Sequence, residues 1–402
     1  MRLPKVAVAH PCLGSGGSEI GTLQAISALK RNFDVTLITG GPVDLDRLNR
    51  YYGTSLRADE FSIRTVPMPL GLRRSAKFAG LRGAFYQRYL QQVAPEFDLM
   101  ISAYNVCDFG VPGIQLIADF SFVREWRTQT HPSLANHRKW WYGNSPLRHA
   151  YLGLCDTIAG QHADGWRRNA TIAKCEWAAG ILRSEFGIEP KVIYPPVVFD
   201  FPPVSWEEKE AGFVCIGRVV PEKRMDAVIA ILERVREAGH DVHLHILGGV
   251  DNSSFGRRLK GLSASRNWVL LEGSTFGQKK KSLAAGHRFG INGCEVDNMP
   301  NAVAEMVKAG CIPFVPSGGG QKEIVDHPAL IFADDNDAVK KIKAVLSNPD
   351  LQQSLRYHLS RQALKFSVQN FQKSLREVVD EFLAEKTAHA ADRPSVSEVS
   401  AA

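Results

Sequence analysis

The chain has 402 residues, 44% of them apolar and 23% charged, which excludes a disordered, collagenous or coiled-coil protein and predicts two globular domains. Its net charge of +7 sits in the first half, where residues 1–200 carry 23 basic and 17 acidic side chains. No apolar run approaches the ~18 residues that cross a bilayer, and MRLPKVAVAH lacks the long apolar stretch of a signal peptide, so a cytoplasmic protein is expected. The seven cysteines are scattered without a CxxC pair, which speaks against a disulfide framework or a zinc site.

In chain order, the β-branched run KVAVAH comes first, then a helical pattern from Ser18 to Arg31, then DVTLIT. Between the first two lies HPCLGSGGSEIG, whose Gly14, Gly16 and Gly17 stand at a helix N-terminus. This reads equally as an anion cradle or as a tight strand-to-helix turn. Residues 61–95 hold Arg64, Arg73, Arg74, Lys77, Arg82 and Arg88 without one Asp or Glu, interleaved with Leu70, Phe78, Leu81 and Phe85. That mixture reads as a solvated helix face or as a segment drawn to an anionic membrane surface. No nucleic-acid module accompanies it.

The Pro-rich stretch YPPVVFDFPPVSWEEKEAG breaks the pattern, and the alternation restarts with GFVCIGR, a helix over Met225–Ala238, and DVHLHILG. Strands alternating with helices imply βαβ units, hence two doubly wound α/β domains with parallel sheets. Arg218 and Lys223 follow the first strand of the second domain beside a helix start, a placement suited to a pyrophosphate or to a solvated basic turn. From Gly290 the chain reads GINGCEVDNMPNAVAEMVKAGCIPFVPSGGGQKEIV: carboxylate, seven residues, carboxylate, helix, strand, glycine loop, helix. The last pattern, Phe366–Lys386, spaces Phe371, Leu375, Val378, Val379 and Phe382 as an amphipathic helix. A disordered tail is expected over 388–402.

The stretch from Gly290 resembles the donor-binding signature of glycosyltransferase family 4, retaining sugar transferases of the GT-B fold. LGSGGSEI is similar to that family's first glycine loop, TIAKCEWAAGILRSEFG to its NSxW helix, KVIYPPV to its linker and GRVVPEKR to its basic loop. The subgroup it most resembles includes mannosyl and glucosyl transferases that build lipid-linked or surface glycans. The resemblance implies two Rossmann-like domains facing across a cleft. The first, acceptor-side domain would span 1–198, the second, nucleotide-sugar domain 199–362, and a helix over 363–387 would cross back to the first.

Carried over by position, the resemblance implies that Arg218 and Lys223 hold the donor diphosphate and that Glu305 takes the ribose hydroxyls. Gly16 and Gly17 would line the cleft opposite, and Gly318–Gly320 with Glu323 would wall the pocket. Gly273, Ser274 and Thr275 fall where the family contacts the base; Asn298, Asn301, Ala302 and Val303 fall along the donor. Three positions depart from the family. Asp297 replaces the first glutamate of the pair, Met299-Pro300 replaces Phe-Gly, and Ala118-Asp119 stands where a histidine often lies. Asp119 reads either as a stand-in for that histidine at a developing oxocarbenium charge or as a capping aspartate.

The implied activity is retaining transfer of a hexosyl unit from a UDP- or GDP-linked sugar to a glycan or lipid-linked acceptor in surface polysaccharide or glycoconjugate biosynthesis. Asp119, Asp297 and Glu305 are the catalytic candidates; no metal and no cofactor beyond the donor are expected. The alternatives are a GT-B nucleotide-sugar epimerase and a non-catalytic nucleotide-sugar binder. Asp44-Leu45-Asp46 spells DxD and is read as a solvated loop. His240, His243 and His245 are read as surface or core histidines. Trp126, Trp140, Trp141 and Tyr142 line either a core or an acceptor channel.

Overall fold

The computed structural model describes residues 2–14, 16–73, 78–123, 126, 146–160 and 164–391. Two parallel sheets organise them. The first contains β1 (Lys5–His10), β2 (Asp34–Thr39), β3 (Ser62–Thr65), β4 (Leu99–Ser102), β5 (Ile114–Ile117), β6 (Ala170–Ala173) and β7 (Lys191–Val192), in the order β3-β2-β1-β4-β5-β6-β7. The second contains β8 (Glu210–Ile216), β9 (Leu244–Leu247), β10 (Val269–Gly273), β11 (His287–Ile291), β12 (Ile312–Pro316) and β13 (Ile331–Phe332), in the order β10-β9-β8-β11-β12-β13. Helices cover both faces of such sheets, so central strands read as continuous apolar runs: Val6 to Ala9 and Phe213 to Cys215 are all buried. In each sheet the order reverses beside the first strand, between β1 and β4 and between β8 and β11. Doubly wound sheets open a ligand crevice at that point.

The linker and the C-terminal return lie side by side. Val197 N–H donates to the carbonyl of Phe366 at 2.8 Å, and the buried Phe366 packs in the second domain's core. Two residues on, the helix Val368–Ala391 begins, and its Phe371, Leu375, Val378 and Val379 complete the first domain's core. They lie against the helix Gly17–Leu29, where Gln372 Nε2 donates to Gln24 Oε1 at 2.8 Å. The amphipathic stripe read from the sequence thus has its partner: it closes the first domain from the far end of the chain.

Two boundaries differ from expectation. Leu364–Phe366 is a 3-10 turn, and the crossover helix runs on to Ala391, so residues 388–391 are helical; 392–402 lie outside the described residues. The last residues of the expected linker, Glu210–Gly212, open β8, because pairing with β11 begins at Glu210. Among the described residues no helix is long and apolar enough to cross a membrane.

Candidate active site

The carboxyl ends of the strands in both sheets form the rims of one cleft. On the second domain, β8 ends at Ile216 and Arg218 emerges exposed, without an ion-pair partner among the described residues. The turn Pro221–Lys223 then brings the Lys223 ammonium to Asp297 Oδ2 at 2.5 Å. Burial pulls that ammonium down, but the Asp297 carboxylate outweighs it and holds Lys223 above its ordinary range. Arg218, a like charge on the same loop, pulls that ammonium down. Arg224 ties the loop's far side down, 3.2 Å from both Glu295 and Asp335.

Asp297 and Asn298 sit on a loop that the glycines of 318–320 press from below. A Cβ at Gly318, Gly319 or Gly320 would strike the carbonyls of Glu295, Asp297 or Asn298. Gly319 also has φ +74°, and Gly320 N–H donates to the Asp297 carbonyl at 2.9 Å. Only glycine lets the two backbones approach this closely. The glycine loop therefore supports the Asp297 segment.

Next comes the helix Asn301–Lys308, with Pro300 at its N-cap. Proline there costs no intrahelical bond, and the N–H groups of Asn301 and Ala302 are among those a helix start leaves without an intrahelical acceptor, at the positive end of its dipole. Val303 is fully buried, and its N–H turns back to the Pro300 carbonyl at 3.0 Å, so its side chain belongs to the core and not to a donor surface. Glu305 lies one turn down, buried, paired with Lys280 Nζ at 2.6 Å. Beyond β10, Gly273 takes φ +70° and the buried Thr275 hydroxyl donates back to the carbonyls of Glu272 and Gly273 at 3.2 and 3.1 Å. Ser274 packs its hydroxyl against Gly249. At this end the lobes touch through Tyr51 and Phe276, ring centroids 4.7 Å apart.

The first domain's rim begins at His10, the last residue of β1. The glycine loop after it does not stand open: Glu19 folds back so that its carboxylate accepts the Gly14 N–H and the Ser18 hydroxyl, both at 3.0 Å. A Cβ at Gly16 would lie 2.8 Å from Glu19 Oε2, and the Gly16 carbonyl accepts from Tyr52 at 2.7 Å. The anion expected at this helix start is thus met in part by the chain's own carboxylate. Gly17 does face the cleft, since a Cβ there would stand 3.2 Å from Asn301 Nδ2 of the opposite lobe.

Asp119, two residues past β5, spends Oδ1 on the Ser121 N–H at 2.8 Å and on Asn105 Nδ2 at 3.0 Å. It is a capping aspartate that also bears on Lys174. Lys174 follows β6 directly and makes no hydrogen bond or ion pair among the described residues. Burial pulls its ammonium below the ordinary range, against the pull of Asp119, Asp297, Cys175 and Glu19. Sequence reasoning placed this lysine inside a helix motif and gave it no role, although a cation directly after a strand is the cue that singled out Arg218.

Two expected donor contacts serve the junction of the lobes. Asn298 Nδ2 donates to the Ala118 carbonyl at 2.9 Å, and the Asn298 carbonyl accepts from Cys175 Sγ at 3.1 Å. Glu323 caps the helix Glu176–Phe186 of the first domain, accepting from the N–H groups of Glu176 and Trp177 at 2.9 and 2.7 Å. It does not wall a donor pocket, because its carboxylate goes to a helix N-terminus. Asp44 caps the helix Leu45–Tyr52 through the Arg47 N–H at 2.9 Å, so the DxD is a helix start and not a loop. Trp126 packs against Phe120 and Trp177; Trp140, Trp141 and Tyr142 lie outside the described residues.

Two Rossmann-like domains meeting along the carboxyl ends of their strands, with the C-terminal helix returned to the first, are the GT-B fold of glycosyltransferases. Residues 199–362 match the family model of glycosyl transferases group 1. No curated protein matches the chain by sequence. Among solved structures it is similar to sucrose-phosphate synthase from Thermosynechococcus elongatus, with a TM-score of 0.68 and 13% identity over 95% of this chain and 100% of that one. HepE from Anabaena, solved in complex with UDP and glucose, gives 0.65 and 12% over 94% and 100%. WaaG, a glycosyltransferase involved in lipopolysaccharide biosynthesis, gives 0.63 and 14% over 93% and 99%. At these identities the likeness is one of fold.

Proposed function

We propose that the chain is a retaining glycosyltransferase that moves a hexosyl unit from a UDP- or GDP-linked sugar to a glycan or lipid-linked acceptor of surface polysaccharide or glycoconjugate synthesis. The observation that carries this reading is Arg218, exposed and without an ion-pair partner among the described residues, beside Lys223 at the trailing end of β8, with Lys223 paired to Asp297 four residues before the helix start at Asn301. A diphosphate seated there gains two charge-assisted contacts and the positive end of a helix dipole. HepE's complex with UDP and glucose on the same fold supports a nucleotide-sugar donor.

In this reading the diphosphate leaves as the sugar–oxygen bond breaks, and Arg218 and Lys223 stabilise the charge that builds on it. Asp297, paired with Lys223, orients that ammonium and meets a sugar hydroxyl. Lys174, between Asp119 and Asp297, lies where the two lobes face the transferred sugar. The acceptor enters along the first domain and attacks the face the diphosphate leaves, so the anomeric configuration is kept. These cations supply the positive charge that a metal would otherwise bring.

A thermal-shift screen against UDP-, GDP- and ADP-linked sugars tests the donor assignment, because a ligand bound only by the native state raises its melting temperature. One donor class should raise it; no shift with any of them overturns the reading. Donor hydrolysis without acceptor, followed by NMR of the anomeric proton, then separates a retaining transferase from a silent binder and from an epimerase.

For the acceptor side, we place the cytoplasmic face of an anionic membrane against residues 61–95. Leu70 and Phe78 stand exposed there, at 88% and 55%. Arg64 is drawn off by Glu96 at 2.8 Å, while Arg74 and Lys77 lie outside the described residues. Flotation with anionic vesicles at low salt should recover the protein, and equal recovery with neutral vesicles removes this surface.

A further inference from the structure

At the leading ends of β8, β9 and β11 the fold gathers three histidines that the sequence leaves scattered. His243 Nε2 lies 3.1 Å from His287 Nε2, and the His245 ring centroid is 4.6 Å from that of His287 and 5.2 Å from that of His243. One potential ligand nitrogen from each ring falls within 4.8 Å of the other two. Gly212 of β8 makes the arrangement possible: a Cβ there would collide with the His243 imidazole. The absent side chain lets rings from β9 and β11 meet over the strand between them.

The hydrogen bonds fix which nitrogens are available. His287 Nδ1 lies 2.7 Å from the Leu283 carbonyl, which can only accept, so that nitrogen carries the proton and Nε2 keeps its lone pair. His245 Nδ1 lies 2.9 Å from Glu272 Oε1, a carboxylate that also pairs with Lys279 at 2.8 Å, so Nδ1 is the donor nitrogen and Nε2 is the one left to face a ligand. His243 has one Nε2 hydrogen at most to share between them, and no other donor reaches His245 Nε2 among the described residues. A ring nitrogen backed by a carboxylate or a carbonyl, with its other nitrogen facing two more imidazoles, has the layout of a metal ligand with its supporting partner.

We propose that His243, His245 and His287 bind a divalent zinc-class cation, with the fourth position open on the side of the exposed Glu210 carboxylate, to be filled by it or by water. Tetrahedral Zn–N bonds of 2.0–2.1 Å put ligand nitrogens about 3.3 Å apart, close to the 3.1 Å between His243 and His287. Glu210 Oε2 stands 3.3 Å from His243 Nε2. Imidazoles with one carboxylate suit zinc and not magnesium or calcium, which prefer oxygen. Access is open, since the Glu210 side chain is 63% exposed and that of His243 28%. The ion would pin the leading ends of adjacent strands, of order 15 Å along β8 from the Arg218 rim, so it is structural and independent of the glycosyl-transfer reading.

The test uses the full-length, tag-free chain stripped with chelator and titrated with cobalt(II). We expect one equivalent to bind with the visible d–d absorption of a four-coordinate ion and zinc to displace it. At a zinc concentration a hundredfold above Kd the melting temperature should rise by roughly 5 °C. His243→Gln and His245→Gln, both at partly exposed positions, should keep the native circular dichroism and bind at least a hundredfold more weakly. Glu272→Gln, which leaves the ligands intact, should weaken binding about tenfold to a hundredfold. Absence of stoichiometric cobalt binding overturns the proposal, as does unchanged binding by a folded His243→Gln/His245→Gln double variant. Donor turnover measured on the same samples reports separately on the cleft.

Discussion

Arg218 and Lys223 carry the same charge on one loop but differ in what faces them, and their substitutions should separate accordingly. Arg218→Ala removes an unpaired, exposed cation, so kcat/KM should fall about tenfold to a hundredfold with the melting temperature unchanged. Lys223→Ala also strands the Asp297 carboxylate, whose side chain is only 19% exposed, so stability should drop by about 1–3 kcal/mol as well. Adding Asp297→Asn should restore the melting temperature without restoring turnover; a melting temperature that stays low denies the pairing its structural part. His10 gives a pH signature. Burial holds it near 4 in the native state, against about 6.5 in an unfolded chain, so the unfolded state takes the proton first as pH falls. Stability should therefore be lost between about pH 6.5 and 4, by at most about 1.4 kcal/mol per pH unit. Urea melts at pH 7, 6 and 5 should show a flatter profile for His10→Gln, and parallel profiles would rule out a neutral buried imidazole. At this scale the sequence revealed cations at strand ends, because a strand end next to a helix start is a local pattern. It did not reveal Glu19 or Lys280, and it gave Glu323 a pocket wall where the fold gives it a helix N-terminus, because such partners are set by which segments meet in three dimensions.

The glycine loop shows how an element's meaning depends on its neighbour. Gly319→Ala would force a φ near +74° on an alanine and push its Cβ into the Asp297 backbone, so it should cost about 1–3 kcal/mol and weaken donor binding by displacing Asp297 and Asn298. Gly261, inside the helix Ser254–Ala264 with open space around it, provides the contrast: Gly261→Ala should stabilise by up to about 1 kcal/mol with donor affinity unchanged. Thermal melts of the pair check both signs, and a neutral Gly319→Ala would mean the loop does not hold the Asp297 segment. Much of the element pattern was legible in the sequence, because a parallel sheet buried on both faces demands apolar strands such as KVAVAH and the helices between them repeat their apolar side chains every third or fourth residue. Element ends were less legible. The crossover helix continues past Lys386 through residues with no apolar stripe, and Asp44, read as part of a loop, starts a helix because its carboxylate finds the Arg47 N–H. The glycine triplet was legible as a loop, but a single chain of letters does not say which backbone that loop must admit.

Beside the Tyr51–Phe276 ring contact, the lobes are joined by the adjacent linker and return at Val197 and Phe366, by the Asn298 bond to Ala118, and by the Glu323 cap on the Glu176–Phe186 helix. The first lies along the two stretches of chain that connect the lobes covalently, through a backbone bond that side-chain changes other than proline leave in place. The other two lie nearer the cleft and set how the rims face each other. Glu323 accepts two helix N–H groups and a hydroxyl, Tyr194 Oη at 3.2 Å, so Glu323→Ala strips the acceptor from the Glu176 and Trp177 N–H groups, leaving only the Cys175 thiol cap on Ala178, at a cost of about 1–2 kcal/mol. Both domain cores remain, so the variant should fold, but its lobes should sample wider separations. Small-angle scattering should show a larger radius of gyration in the free protein, and the donor KM should rise about tenfold because part of the binding free energy then goes into drawing the lobes together. kcat should change less, since the closed geometry at Lys223, Asp297 and Lys174 is intact once reached. If scattering and KM both match the wild type, the Glu323 cap is a local helix feature and the relative placement of the lobes is set by the linker and the terminal helix alone.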